Sequence, residues 1–257
     1  KKITQINHES SKWFHDYLLK SNSNEASDAR NYLKERNIGI ETAKSWKIGL
    51  APANPQSFEE WTRDNGFTQD QMVASGLRSL KDQNDSSRGS YSRFKNRIMF
   101  PIHNDYGDAI AFSGRIFSTN NKLAKYVNSP ETLAFKKSQI FFGLHKTKRA
   151  IAKSESVIIC EGQLDLIRCF ESGIENIVAP LGTALTESHI KLLRRFTGEK
   201  GEVILCFDSD SAGYKAALRA YEELSQAGLF TRSIKLPPEY DPDKLILEKG
   251  AEEFKSL

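Results

Sequence analysis

Apolar residues at Trp13, Phe14, Tyr17 and Leu18 return at helical spacing and predict an amphipathic helix over residues 1–20. The polar stretch 21–24 predicts a linker. Ser27-Asp28 can cap a second helix over Ala29–Arg36, which the Asn37-Ile38-Gly39 step ends. Glu41–Trp46 gives another helical turn, Pro52 and Pro55 mark a loop, and residues 58–65 are helical again. Residues 81–92, rich in Asp, Asn, Ser and Gly, predict a mobile loop. The texture then changes. Arg97–Ile102 and Ala109–Phe112 are apolar runs joined by Asn104-Asp105-Tyr106-Gly107-Asp108, which predicts a β-hairpin.

From residue 154 onward, short apolar runs alternate with helical segments. Strands are predicted at Val157–Cys160, Ile177–Ala179, Val203–Phe207 and Arg232–Leu236. Helices are predicted at Leu164–Ser172, at Glu187–Phe196 with Thr186 as N-cap, and at Ala212–Gln226. Parallel strands need crossover helices, so this β-α-β-α-β-α-β order predicts a parallel sheet covered on both faces. The fold class expected is therefore α/β.

Composition fits a folded chain of one large or two modest domains: 257 residues, 39% hydrophobic, with 15 Phe, 8 Tyr and 3 Trp. No apolar run approaches the roughly 20 residues of a membrane helix, and the polar start excludes a signal peptide there. The chain does not open with Met, which leads us to expect a fragment. Cys160, Cys169 and Cys206 are odd in number and lack Cys-x-x-Cys spacing, so they read as reduced core thiols with no structural zinc site. The five histidines are scattered and carry no expected role in catalysis.

The net charge of +4 conceals a division. Residues 1–153 hold 25 Lys/Arg against 15 Asp/Glu, whereas residues 154–257 hold 12 against 18. A basic half beside an acidic half suggests that one binds phosphate backbone and the other binds cations. The acidic residues sit where ligands of open parallel sheets bind, beyond the carboxyl ends of the strands. Glu161 follows the first predicted strand, with Asp165 one turn into the next helix. Asp208 and Asp210 follow the third, and Asp241 and Asp243 the fourth. Carboxylates drawn together repel, and a hard cation such as Mg²⁺, which prefers oxygen ligands, would relieve them. Pro180–Thr186 runs into a helix N-terminus and could receive a phosphate on backbone N–H groups.

Glu161-Gly162-x-x-Asp165, Leu181-Gly182-Thr183 and Asp208-x-Asp210-x-Ala212-Gly213 together resemble a Toprim domain, the metal-binding module of bacterial-type primases, topoisomerases and some nucleases. The segments Arg93–Ile102, Ala111–Arg115 and Lys125–Thr132, then Phe135, Lys137 and Phe142-Gly143-Leu144, are similar to the basic N-terminal subdomain of bacterial DnaG-type primases. The resemblance runs from about residue 25 to the C-terminus. It implies an α+β N-terminal subdomain followed by a Toprim domain whose central parallel sheet is flanked by helices. The divisions expected are 1–24, 25–153 and 154–257.

The implied activity is DNA-directed RNA polymerase (primase) activity, a nucleotidyl transfer that builds short RNA primers on single-stranded DNA from ribonucleoside triphosphates. The resemblance assigns Glu161, Asp208, Asp210 and Asp165 to catalysis. It gives Mg²⁺ or Mn²⁺, two or more ions, to Glu161, Asp208, Asp210, Asp241 and Asp243. It gives DNA and nucleotide contacts to Arg93, Lys95, Arg115, Lys125, Asn128 and Lys137. It also implies a monomeric cytoplasmic protein at a bacterial, phage or plasmid replication fork. The family's zinc module and helicase-docking domain have no counterpart here, and its helical bundle is short or missing, so a replicative helicase would be met through a domain outside this chain. Two competing readings are a Toprim enzyme that cleaves DNA and a non-catalytic DNA-binding module. Nothing singles out Tyr91, Tyr214 or Tyr240 as the nucleophile that a topoisomerase requires.

Overall fold

A computed structural model describes residues 1–82, 84–117 and 123–257. The chain divides into two compact units: Lys1–His103 with Asp108–Phe135, and Asn104–Gly107 with Lys136–Leu257.

The first unit begins with helices α1 (Lys2–Lys20), α2 (Asn24–Glu35) and α3 (Ile40–Ser45). Strand β1 (Gly49–Ala51), helices α4 (Gln56–Asp64) and α5 (Gln69–Ala74), and strands β2 (Arg78–Leu80) and β3 (Ser90–Ser92) follow. Strands β4 (Arg97–His103), β5 (Ala109–Ile116) and β6 (Tyr126–Asn128) complete it. The main sheet has the order β1-β4-β5-β6, all antiparallel, and contains the expected hairpin as β4 and β5.

Helix α1 packs on β1 and β5, so residues 1–24 belong to the unit's core rather than standing apart. The Phe14 ring lies tilted against Phe58, with centroids 4.5 Å apart, and meets Phe112 edge-on at 5.6 Å. Phe94 and Phe112 are themselves core residues. Ser23, not Ser27, caps α2: its Oγ accepts the Ala26 N–H, drawing the helix start back into the expected linker. The stretch 81–92 is not the expected mobile loop throughout, since it ends in β3, paired with β2; residue 83 lies outside the described residues. The Arg78 guanidinium holds this ribbon by donating to Ser90 Oγ and Ser90 O and by pairing with Glu59.

The second unit contains helix α6 (Leu144–Ser154), strand β7 (Ser156–Ile159), α7 (Gln163–Glu171), β8 (Ile177–Val178) and α8 (Glu187–Thr197). It continues with β9 (Glu202–Leu205), α9 (Ser211–Gln226), β10 (Phe230–Ser233), α10 (Pro242–Lys249) and α11 (Ala251–Lys255). The sheet is parallel, as the sequence predicts, and its strand order is β10-β9-β7-β8. Val157, Ile159, Val203 and Leu205 lie in its buried core. Helix α6 packs on α8, β7 and β8, which is why this unit begins at Lys136, ahead of the 153/154 division read from the sequence.

Candidate active site

The order β10-β9-β7-β8 fixes where chemistry can occur. From β7 the chain crosses to β8 on one side, then returns to place β9 on the other. The crossovers therefore diverge between β7 and β9, and a crevice opens beyond the carboxyl ends of those strands. Glu161 lies just past β7, and Asp208 just past β9. The two loops are linked: Glu161 Oε1 accepts the Asp208 N–H at 3.0 Å.

Two glycines keep the crevice open. A Cβ on Gly213 would lie 2.3 Å from the Asp208 carbonyl oxygen and 2.8 Å from Glu161 Oε1. A Cβ on Gly162 would lie 2.5 Å from Asp165 Oδ2. A side chain at either position would fill the space that the carboxylates face. A cleft of about 270 Å³ on one side is lined by Glu161, Gly182, Thr183, Phe207 and Arg219, among others. A second of about 370 Å³ is lined by Asp208, Asp210, Gly213 and Tyr214, among others.

The six expected carboxylates lie around this crevice but do not form one cage. Among the described residues, no three His, Cys, Asp or Glu side chains are gathered so as to hold an ion as they stand. Asp210 turns to the N-terminus of α9, where Oδ1 accepts from Ala212 N at 2.9 Å and Gly213 N at 2.7 Å. Asp241 caps α10 through Lys244 N at 2.7 Å. Asp243 is buried and pairs with Arg168, Nε to Oδ1, at 2.8 Å. Each of these engagements draws a carboxylate toward a local positive charge or dipole.

Asp165 occupies the most strained electrostatic position. Burial, and then the charges of Asp241, Asp208 and Asp243, push its carboxyl up to about 7, against a weaker opposing hydrogen bond from the Asp243 amide. Cys160, Cys169 and Cys206 are buried free thiols, and burial pushes each thiol up. His189 has a structural place as the N3 residue of a capping box with Thr186 on α8.

The basic residues fall into two groups. In the first unit Lys95 and Lys125 are exposed. Arg93 is half-buried and donates from Nε to Asn128 O at 2.7 Å, fastening the chain just beyond β3 to the end of β6. Arg115, only 6% exposed, is enclosed by two tyrosines: Nε donates to Tyr32 Oη at 2.7 Å and Nη1 to Tyr126 Oη at 2.9 Å. Lys137 lies in the second unit, on a short 3-10 turn. Sequence reasoning passed over Tyr32 and Arg168. The charge of Arg168 at three residues from Asp165 was the one available signal, because it places both on one face of α7.

Comparison with known proteins gives a consistent result. The family model for the DNA primase catalytic core, N-terminal domain, matches residues 13–148, and that for the Toprim domain matches residues 155–235. The DNA primase of Listeria monocytogenes is 36% identical over 259 residues, covering 100% of this chain and 40% of the relative. That of Legionella pneumophila is 38% identical over 247 residues, again with 40% of the relative covered. This chain thus spans about 40% of the length of the curated relatives it matches.

Among solved structures, the RNA polymerase domain of Mycobacterium tuberculosis primase DnaG superposes with a TM-score of 0.88 at 31% identity, covering 99% of this chain and 82% of that one. A DnaG primase catalytic domain bound to single-stranded DNA gives a TM-score of 0.83 at 31% identity, covering 99% and 77%. Primases of the Toprim family typically use divalent metal ions. Matched in this order along its length, the chain belongs to the DNA primase family, as a catalytic core whose N-terminal domain precedes a Toprim domain.

Proposed function

We propose that the chain catalyses metal-dependent synthesis of short RNA primers on single-stranded DNA from ribonucleoside triphosphates. The observation that carries this reading is the linked pair Glu161 and Asp208 at the divergence of β7 and β9. The donor set fits a hard divalent cation: its atoms are carboxylate oxygens, Asp165 is strained by three like charges, and Gly162 and Gly213 leave room. Glu161, Asp208, Asp210 and Asp241 are the residues that would hold Mg²⁺ or Mn²⁺. For Asp210 and Asp241 this means turning from the helix amides they now cap. Bound there, such ions supply neutralisation of the triphosphate and of the departing pyrophosphate.

The chain's own side chains supply position and proton transfer. The primer 3′-hydroxyl oxygen attacks the α-phosphorus, the bond to pyrophosphate breaks, and the hydroxyl proton passes to a Glu161 carboxylate oxygen. The amide link to Asp208 holds Glu161 for this role. Exposed Lys95 and Lys125 meet template phosphates, and the tyrosine-held Arg115, with Arg93 and Asn128, gives that surface a fixed shape. Lys137 serves the incoming triphosphate.

The single-stranded DNA seen on a related catalytic domain supports the choice of template. The relatives named above are bacterial, and no described helix is long and apolar enough to cross a membrane. A cytoplasmic location follows from that kinship. A replicative helicase as partner and a monomeric state rest on the family resemblance alone.

The test is incubation with single-stranded template, labelled ribonucleotides and Mg²⁺ or Mn²⁺. Short RNA products are expected. Nicked DNA instead would favour a cleaving Toprim enzyme, and binding without product would favour a non-catalytic module.

A further inference from the structure

Asp243 is the least exposed of the rim carboxylates, at 4%. Its partner is not an ion but Arg168, whose Nε lies 2.8 Å from Oδ1, with side chains only 12% and 6% exposed for Arg168 and Asp243. Charges this deep persist only when paired. The pair is tied to the rim on both sides. Arg168 stands on α7 three residues beyond Asp165, on the same helix face. Asp243 stands in the first turn of α10, two residues beyond the N-cap Asp241, and its N–H donates to Asp165 Oδ1 at 3.4 Å. The ion pair therefore pins the start of α10 against α7 and fixes the spacing between Asp165 and Asp241.

We infer that Arg168 and Asp243 form a positioning pair that sets Asp241 against Asp165 so that Asp241 can hold a cation, and that Asp243 is not itself an ion ligand. This rests on the metal-binding reading of the rim given above. Partners that orient metal ligands from behind typically contribute 10–100-fold in metal affinity.

The sign of one measurement separates the possibilities. Removing a positive charge near an acidic site strengthens cation binding on electrostatic grounds alone, and an Asp243 released to become a ligand would strengthen it further. Loss of positioning weakens it. The experiment is a Mn²⁺ titration of the full chain, read by electron paramagnetic resonance of free Mn²⁺ without template or nucleotide. Thermal unfolding of each variant is measured alongside. Arg168→Gln is expected to weaken Mn²⁺ binding about tenfold. Asp243→Asn is expected to weaken it by a similar factor with the number of bound ions unchanged, and the double variant is expected to be no weaker than the worse single one.

Should Arg168→Gln fail to fold, Arg168→Lys keeps the charge but loses the planar fork, and a smaller weakening is expected. Unchanged or tighter Mn²⁺ binding on loss of Arg168 overturns the inference, as does loss of one bound ion in Asp243→Asn. Absence of Mn²⁺ binding by the unmodified chain also overturns it. If the unmodified chain binds Mn²⁺ but makes no primer, the proposed function fails, while the titration still decides the positioning role.

Discussion

Two acidic residues on this rim carry opposite assignments, and substitution separates them. Glu161 is held by a backbone amide and is proposed above as the acceptor of the hydroxyl proton. Glu161→Gln preserves that hydrogen bond, so primer synthesis is expected to fall by about 10²–10⁴-fold while the melting temperature stays nearly constant. Asp165 instead stores electrostatic strain. Its carboxyl is pushed up to about 7, while the unfolded chain releases the same proton near pH 4. Between those values the folded form holds a proton that the unfolded form has lost. Without divalent cations, this residue's contribution to stability is therefore fully present below about pH 4 and is lost progressively as pH rises from there through about 7. The amplitude is a few kcal/mol at most. Calorimetry across this range is expected to show that slope, Asp165→Asn is expected to flatten it, and Mn²⁺ is expected to stabilise the chain more at pH 8 than at pH 5.

Helix starts supply much of the rim's order, and this complicates the reading of simple deletions. Asp210 and Asp241 cap α9 and α10. Asp241→Ala removes both a cap and a carboxylate, so it is expected to lose about 1 kcal/mol of stability together with activity. Asp241→Ser keeps a cap and removes the charge, so activity is expected to fall while the melting temperature holds. Primer synthesis and thermal unfolding measured on both variants test this division. An Asp that follows a strand suits a helix cap as well as a cation ligand, and Asp-x-Asp spacing does not show which of the two each carboxylate faces.

The sheet itself was legible, because Val157–Cys160 and Val203–Phe207 are continuous apolar runs of the kind that strands buried on both faces require. Strand β10 was expected at Arg232–Leu236 and runs instead from Phe230 to Ser233. As an edge strand with Phe230 67% exposed, it shows no apolar pattern to fix its bounds. Helix α6 escaped notice because Lys146, Lys148, Arg149 and Lys153 outnumber its buried Leu144, Thr147 and Ile151. The salt link between Arg168 and Asp243 joins residues 75 positions apart, which no local pattern reveals.

Taken as one chain, the molecule carries a surplus of positive charge in residues 1–153 and of negative charge thereafter. Template binding is therefore expected to weaken steeply with salt, since each neutralised phosphate of a single strand contributes about 0.7 to the slope of log K against log salt. Lys125→Ala is expected to reduce that slope by about this amount, with little dependence on template sequence; fluorescence anisotropy at several salt concentrations measures it. Arg115→Ala is expected to differ, because Arg115 is enclosed by Tyr32 and Tyr126 and its removal takes away the guanidinium donor that both hydroxyls accept from.

Cys160, Cys169 and Cys206 have no solvent exposure, and two of them immediately flank the loops that carry Glu161 and Asp208. They give the protein an intrinsic clock. An alkylating reagent can react only during moments when the floor beneath the rim parts, so its rate counts those moments. Occupation of the crevice by Mn²⁺ should slow that clock; mass spectrometry of timed samples, with and without Mn²⁺, reads it directly.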